Sequence, residues 1–155
     1  MAATETIGQK IPQAALTLRR TYAASRERVF RAWTDPEEIK RWWGPPGTAT
    51  PDAEVDLKPG GKYRFTMRSL PDGEPYFLVG TYREVIPPER LVYTWTWEGT
   101  SMEVKDSLVT VQFHDRGGST EVVVTHELLP SDAARERHTK GWTGCFDRLQ
   151  AFLGA

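Results

Sequence analysis

His126 is the side chain of this sequence best placed for acid–base chemistry. It falls in the alternating run Val122, Val124, His126, Leu128, whose members share one face of a strand while Glu127 points to the other. A histidine on an inward face most often serves as a neutral, hydrogen-bonded core residue. General acid or base work is the sharper alternative, with a pocket tyrosine such as Tyr93 as its partner. His114, His126 and His138 stand twelve residues apart and match no metal-binding spacing, so no metal site is expected. Cys145 sits among Trp142, Phe146 and Leu149, the surroundings of a buried thiol rather than of a nucleophile. The sequence contains no GxSxG, phosphate-binding loop or GxGxxG, and Gly60-Gly61 and Gly117-Gly118 read as turns; no cofactor is expected. Lys40-Arg41 beside Trp42-Trp43 has the ingredients of a base-stacking site, yet a lone basic dipeptide reads as a solvated helix face.

The stronger chemical signal is aromatic. Six Trp, five Tyr and six Phe make up 11% of the chain, more than a core of this size needs. Alternation assigns Tyr63, Phe65 and Met67 inward, with Leu91, Tyr93, Trp95 and Trp97, then Val109, Val111 and Phe113, and finally Val122, Val124, His126 and Leu128. Any one of these rings could be plain core. As a set they suit a pocket with one wet end, because Tyr and Trp carry polar atoms that need partners when buried. The residues expected to line it are Phe65, Met67, Tyr93, Trp95 and Trp97 from strands, with His126. Trp33, Trp43, Trp142 and Phe146 join them from helices. Gly141 lies inside the last helical segment, where Gly costs about 1 kcal/mol relative to Ala. It provides either close packing against the sheet or room for a ligand beside Trp142.

Placing these residues requires an α+β fold. Leu16, Leu18, Arg20 and Tyr22 repeat every two residues and predict an edge strand. Ser25 can cap a short helix carrying Val29, Phe30 and Trp33. Asp35-Pro36-Glu37-Glu38 then starts a second helix, with Asp35 as N-cap, Pro36 at the first position and Glu38 completing a capping box. Gly44-Pro45-Pro46-Gly47 stops it. From Thr50 to Leu128 the period is two, punctuated by Pro- and Gly-containing turns, which predicts an antiparallel meander with strands near 50–57, 61–69, 76–86, 90–98, 106–114 and 119–128. The strand at 76–86 is ambiguous in its facing, and a bulge could switch it midway. A helix over Ser131–Leu153, capped by Ser131 or Asp132, must cover one sheet face. A curved sheet around a single helix leaves a space between them, where a ligand would go.

With 155 residues, one domain over 14–155 is expected, preceded by a loose, polar leader over 1–13. One cysteine excludes an internal disulfide. A pI near 6.3 and a net charge of -1 argue against nucleic acid as a partner. No apolar run approaches the roughly 20 residues of a membrane span, and Met1–Gln13 does not read as a signal peptide, so the cytoplasm is the expected location.

Several ordered motifs carry a resemblance: Tyr22-Ala23-Ala24-Ser25-Arg26-Glu27-Arg28-Val29-Phe30-Arg31-Ala32-Trp33-Thr34-Asp35-Pro36, Trp42-Trp43-Gly44-Pro45, Gly60-Gly61-Lys62-Tyr63, Pro88-Glu89-Arg90-Leu91-Val92-Tyr93-Thr94-Trp95, and the segment His138–Leu149 around Gly141-Trp142. The chain resembles, over residues 14–153, the family related to the C-terminal domain of the activator of heat-shock protein 90 ATPase. The resemblance implies the START-like (SRPBCC) helix-grip fold, a curved antiparallel sheet wrapped around a long C-terminal helix with two short helices after the first strand. That fold hosts carriers, enzymes and co-chaperones, and supplies no catalytic set to carry over. Three functions are therefore expected, in this order. The first is a binding protein for a small apolar or aromatic ligand. The second is a cyclase- or hydrolase-like enzyme using His126 and Tyr93. The third is a module that binds a chaperone, heat-shock protein 90, in the stress response.

Overall fold

The computed structural model describes residues 14–154, so the leader expected over 1–13 lies outside the described residues. The element order is β1 (Ala14–Tyr22), α1 (Arg26–Thr34), α2 (Pro36–Trp42), β2 (Thr48–Val55), β3 (Lys62–Ser69), β4 (Tyr76–Ile86), β5 (Arg90–Glu98), β6 (Ser107–Asp115), β7 (Thr120–Leu129) and α3 (Asp132–Leu153). The strands form one seven-stranded antiparallel sheet in the order β1-β7-β6-β5-β4-β3-β2: a meander from β2 to β7, closed at its far side by β1 as an edge. This is the α+β helix-grip architecture, with α3 lying along the concave face.

The helix starts follow local chemistry. Ser25 accepts a hydrogen bond from the Arg28 N–H, Asp35 from that of Glu37, and Ser131 from that of Ala134, each satisfying an otherwise orphaned first-turn donor. The capping box expected of Glu38 does not form. Its carboxylate instead receives Arg28 Nη1 at 2.6 Å and Arg31 Nε at 2.9 Å from α1, because two guanidiniums within reach outcompete one backbone N–H. Glu38 thus ties α2 to α1.

The expected inward residues are buried along β3 and β6 and at Leu91, Tyr93 and Trp95 of β5, where Val92 and Thr94 on the other face are buried as well. Leu128 is the correction. It is 44% exposed with φ 62°, while Leu129 is fully buried. The pairing between β1 and β7 shifts register between the Leu16–His126 and Ala14–Leu129 pairs, so an extra β7 residue bulges out and the alternation changes face after His126. A second register shift, between Tyr82 and Glu84, is the bulge anticipated for β4.

Candidate functional site

All six tryptophans meet in one cluster between the sheet and the helices. Trp33 lies 5.1 Å from Trp42, 6.0 Å from Trp43 and 5.8 Å from Trp142, ring centre to ring centre. Trp43 continues the chain of contacts to Trp95 at 5.9 Å and Trp142 at 5.5 Å, and Trp95 to Trp97 at 5.4 Å. Most of these pairs are edge-to-face, the arrangement that the ring quadrupole favours. The cluster packs tightly on the α1–α2 side and opens on the side of α3.

That opening is a cavity of about 130 Å³ walled by Trp43, Pro45, Met67, Tyr76, Trp95, Trp97, Met102, Arg137, His138, Gly141, Trp142 and Cys145. Trp43, Met67, Trp95, Trp97 and Trp142, all expected to line a pocket, come together here. Trp33, Phe65 and Tyr93 do not join them; with Trp43, Tyr63 and Tyr82 they surround a separate void of about 10 Å³, room for no more than a water molecule. His126 and Phe146 are packed behind the wall, fully or almost fully buried. A broader depression of about 510 Å³ lies on the opposite sheet face, but charged side chains of both signs, including Lys62, Arg64, Glu98 and Lys105, line it. The aromatic cavity has the character of a small-molecule site.

Two glycines of α3 have opposite roles. A Cβ built on Gly144 would come within 2.7 Å of Pro46 Cδ and 3.1 Å of Pro45 Cβ, so this glycine lets the Gly44–Gly47 loop dock on the helix. Arg148 fixes that loop by donating to the carbonyls of Trp43 and Gly44, at 3.1 and 3.0 Å. A Cβ on Gly141 would meet nothing within 4 Å, and Gly141 lines the cavity. Of the two readings open for Gly141, the geometry is that of space.

Two indole–imidazole pairs form the cavity's polar backing. Trp142 Nε1 donates to His126 Nδ1 at 3.1 Å. On the other side of that ring, Nε2 lies 2.9 Å from Ser107 Oγ, which itself donates to the Trp95 carbonyl at 2.9 Å, so the Nε2–H donates to the serine oxygen. In the same way Trp97 Nε1 donates to His138 Nε2 at 2.9 Å, and His138 Nδ1–H donates to the Ala134 carbonyl at 2.7 Å. Both imidazoles are neutral, each in one tautomer. Burial holds the His126 pKa down at about 3, with a smaller push from His138, and burial also lowers that of His138. An acid–base step at His126 would have to break one of its two hydrogen bonds. Tyr93, on β5 with β6 between it and His126, has its phenol pushed well above the usual range by burial, so it stays protonated. Burial also raises the Cys145 thiol, to about 12. Such a thiol stays protonated and unreactive.

Pro45, Tyr76, Met102, Arg137, His138 and Cys145 line the wall beyond the residues expected there. For Arg137 a signal existed: it stands four residues before Gly141 and so shares its helix face. Tyr76 begins a strand and Met102 sits in the Gly99–Asp106 connection, and no pattern pointed to either.

Comparison with known proteins agrees with this architecture. Residues 23–154 match the family described as Activator of Hsp90 ATPase homolog 1-like protein. The human protein named activator of 90 kDa heat shock protein ATPase homolog 1 is 26% identical over 136 residues, covering 88% of this chain and 36% of that protein. This chain therefore spans about a third of that relative. The crystal structure of an AHSA1 protein from Silicibacter pomeroyi superimposes with a TM-score of 0.80 at 28% identity, covering 91% of this chain and 98% of that one. A protein from Rhizobium leguminosarum gives 0.79 at 28% identity, covering 92% and 95%.

Proposed function

This chain belongs to the Activator of Hsp90 ATPase homolog 1-like family, and from that premise we propose that it is a cytoplasmic carrier or sensor holding a small apolar or aromatic molecule between the sheet and α3. The observation that carries this reading is the aromatic cavity beside Gly141, where the helix leaves space that any side chain would occupy. Its size suits one ring or a short acyl chain, since a cavity of about 150 Å³ lined by apolar side chains accepts benzene.

The test uses the tryptophans themselves. Titration with a small aromatic probe is expected to change tryptophan emission saturably at micromolar concentration, because Trp95, Trp97 and Trp142 lie on the cavity wall. Gly141→Leu should abolish that response without lowering the melting temperature. Replacing glycine inside a helix returns up to about 1 kcal/mol, and the new side chain enters open space. Normal probe binding by Gly141→Leu, or no saturable response from the unaltered protein, would count decisively against a ligand role for the cavity.

A second reading, contact with a chaperone, rests on the likeness to the human ATPase activator. Stimulation of heat-shock protein 90 ATPase by the purified chain is its test, and a rate unchanged at saturating protein speaks against it. The enzyme reading gains no support from His126, whose two nitrogens are both engaged.

A further inference from the structure

The cavity wall carries hydrogen-bond donors and no carboxylate. Arg137 is the one charged residue among the twelve that line it, and no Asp or Glu is among them. Its neighbour Arg135 is paired with Asp132 at 3.5 Å, but Arg137 forms no ion pair with any described residue. Trp95 Nε1 is buried and has no hydrogen-bond acceptor among the described residues, an unfavourable state for a polar group withdrawn from water. The hydroxyl of half-buried Tyr76 stays protonated, since burial raises its pKa. The histidine of the wall offers nothing further, because His138 already donates through Nδ1 and accepts through Nε2. The rest of the wall is apolar or aromatic.

A wall with no carboxylate and one uncompensated cation at an exposed helix position is complementary to an anion. A guanidinium binds carboxylate bidentately with its charged head in water and its stem against apolar surface. The enclosed volume holds one ring, and Trp95, Trp97 and Trp142 offer faces and edges to it. We propose that the cavity takes small aromatic monocarboxylates, with the carboxylate at the rim on Arg137 and the ring enclosed among Trp95, Trp97 and Trp142. This rests on the ligand-binding reading above and deepens it by naming the ligand class.

Calorimetric titration with phenylacetate, its neutral isostere phenylacetamide, and hexanoate separates the two readings. Phenylacetate is expected to bind about tenfold or more tighter than the amide, the margin of a charge-assisted contact, and tighter than hexanoate. Arg137→Gln, at an exposed position and with an unchanged melting temperature as its folding control, should weaken phenylacetate to the level of the amide while leaving the amide as it was. Added salt should narrow the difference in the unaltered protein. Equal binding of acid and amide, or a preference that survives Arg137→Gln, overturns the anion assignment and leaves cavity binding standing. Hexanoate binding as tightly as phenylacetate overturns the aromatic part. Absence of heat with all three probes overturns both this proposal and the carrier reading.

Discussion

Acidification from pH 6.5 toward pH 3 is expected to remove on the order of 4 kcal/mol of stability through His126 alone. In the folded protein the ring is fully buried and neutral, donating to Ser107 and accepting from Trp142, with the Trp95 ring 4.8 Å and the His138 ring 5.3 Å away. No carboxylate faces it among these neighbours to stabilise a second proton. In the unfolded chain the same imidazole protonates near pH 6.5. Between the two pKa values the unfolded state binds one more proton than the folded state, so stability rises with pH there and falls as pH drops through the window. Above pH 6.5 the contribution is flat. His138, whose pKa burial also lowers, adds to the same slope.

The measurement is chemical denaturation at successive pH values for the unaltered protein and for His126→Gln, which retains a donor and an acceptor but has no titrating proton. The difference between the two stability curves should change by about 1.4 kcal/mol per pH unit between pH 6 and 4. Parallel curves would mean that His126 is not the group that couples folding to protons. A turnover found for any substrate and lost in His126→Gln, with stability intact, would revive the acid–base role.

Gly80→Ala is expected to cost about 3 kcal/mol or more, although it adds a single methyl in a strand. Gly80 pairs with Tyr63 across the β3–β4 ladder, and the Tyr63 phenol passes over it to donate to the Thr94 carbonyl on β5 at 2.6 Å. There the Thr81 N–H turns to the Thr94 side chain, Oγ1, at 2.9 Å. A Cβ on Gly80 would lie 2.0 Å from the Thr94 oxygen and 2.6 Å from the Tyr63 ring, so either β5 or the phenol must move. Moving the phenol breaks a buried hydrogen bond and loosens the Tyr63–Tyr82–Tyr93 cluster, whose rings lie 5.3 to 5.8 Å apart. Urea denaturation of Gly80→Ala beside Tyr63→Phe, which removes the hydroxyl alone and should cost about 1 to 2 kcal/mol, distinguishes the clash from the lost bond. A Gly80→Ala variant within about 0.5 kcal/mol of the original would show that the sheet relaxes freely there.

Features that depend on near neighbours along the chain are legible in the residues alone. Ser25, Asp35 and Ser131 started helices because capping is a contact between residues two or three apart. The edge strand and the six-stranded meander followed from alternation and turn residues, and the family motifs pointed to the same fold, while the pairing of β1 with β7 joins segments about a hundred residues apart. β2 begins at Thr48, two residues before the expected start, since Thr48 and Ala49 carry no strand signal of their own. Which aromatic rings are wall and which are core depends on long-range packing. Trp95 and Tyr93 share one strand face two residues apart, yet Trp95 meets the cavity and Tyr93 the small void, because the helices cover the sheet unevenly. Gly141 and Gly144 look alike in sequence, and their difference lies in the Gly44–Gly47 loop, nearly a hundred residues away along the chain. The inward turn of Leu129 in place of Leu128 needed a bulge that no local pattern announces. The neutrality of His126 was set by partners at Ser107 and Trp142, on a different strand and on α3, whose approach depends on register and helix docking. Periodicity tells which way a residue faces, and packing between distant segments decides what it meets there.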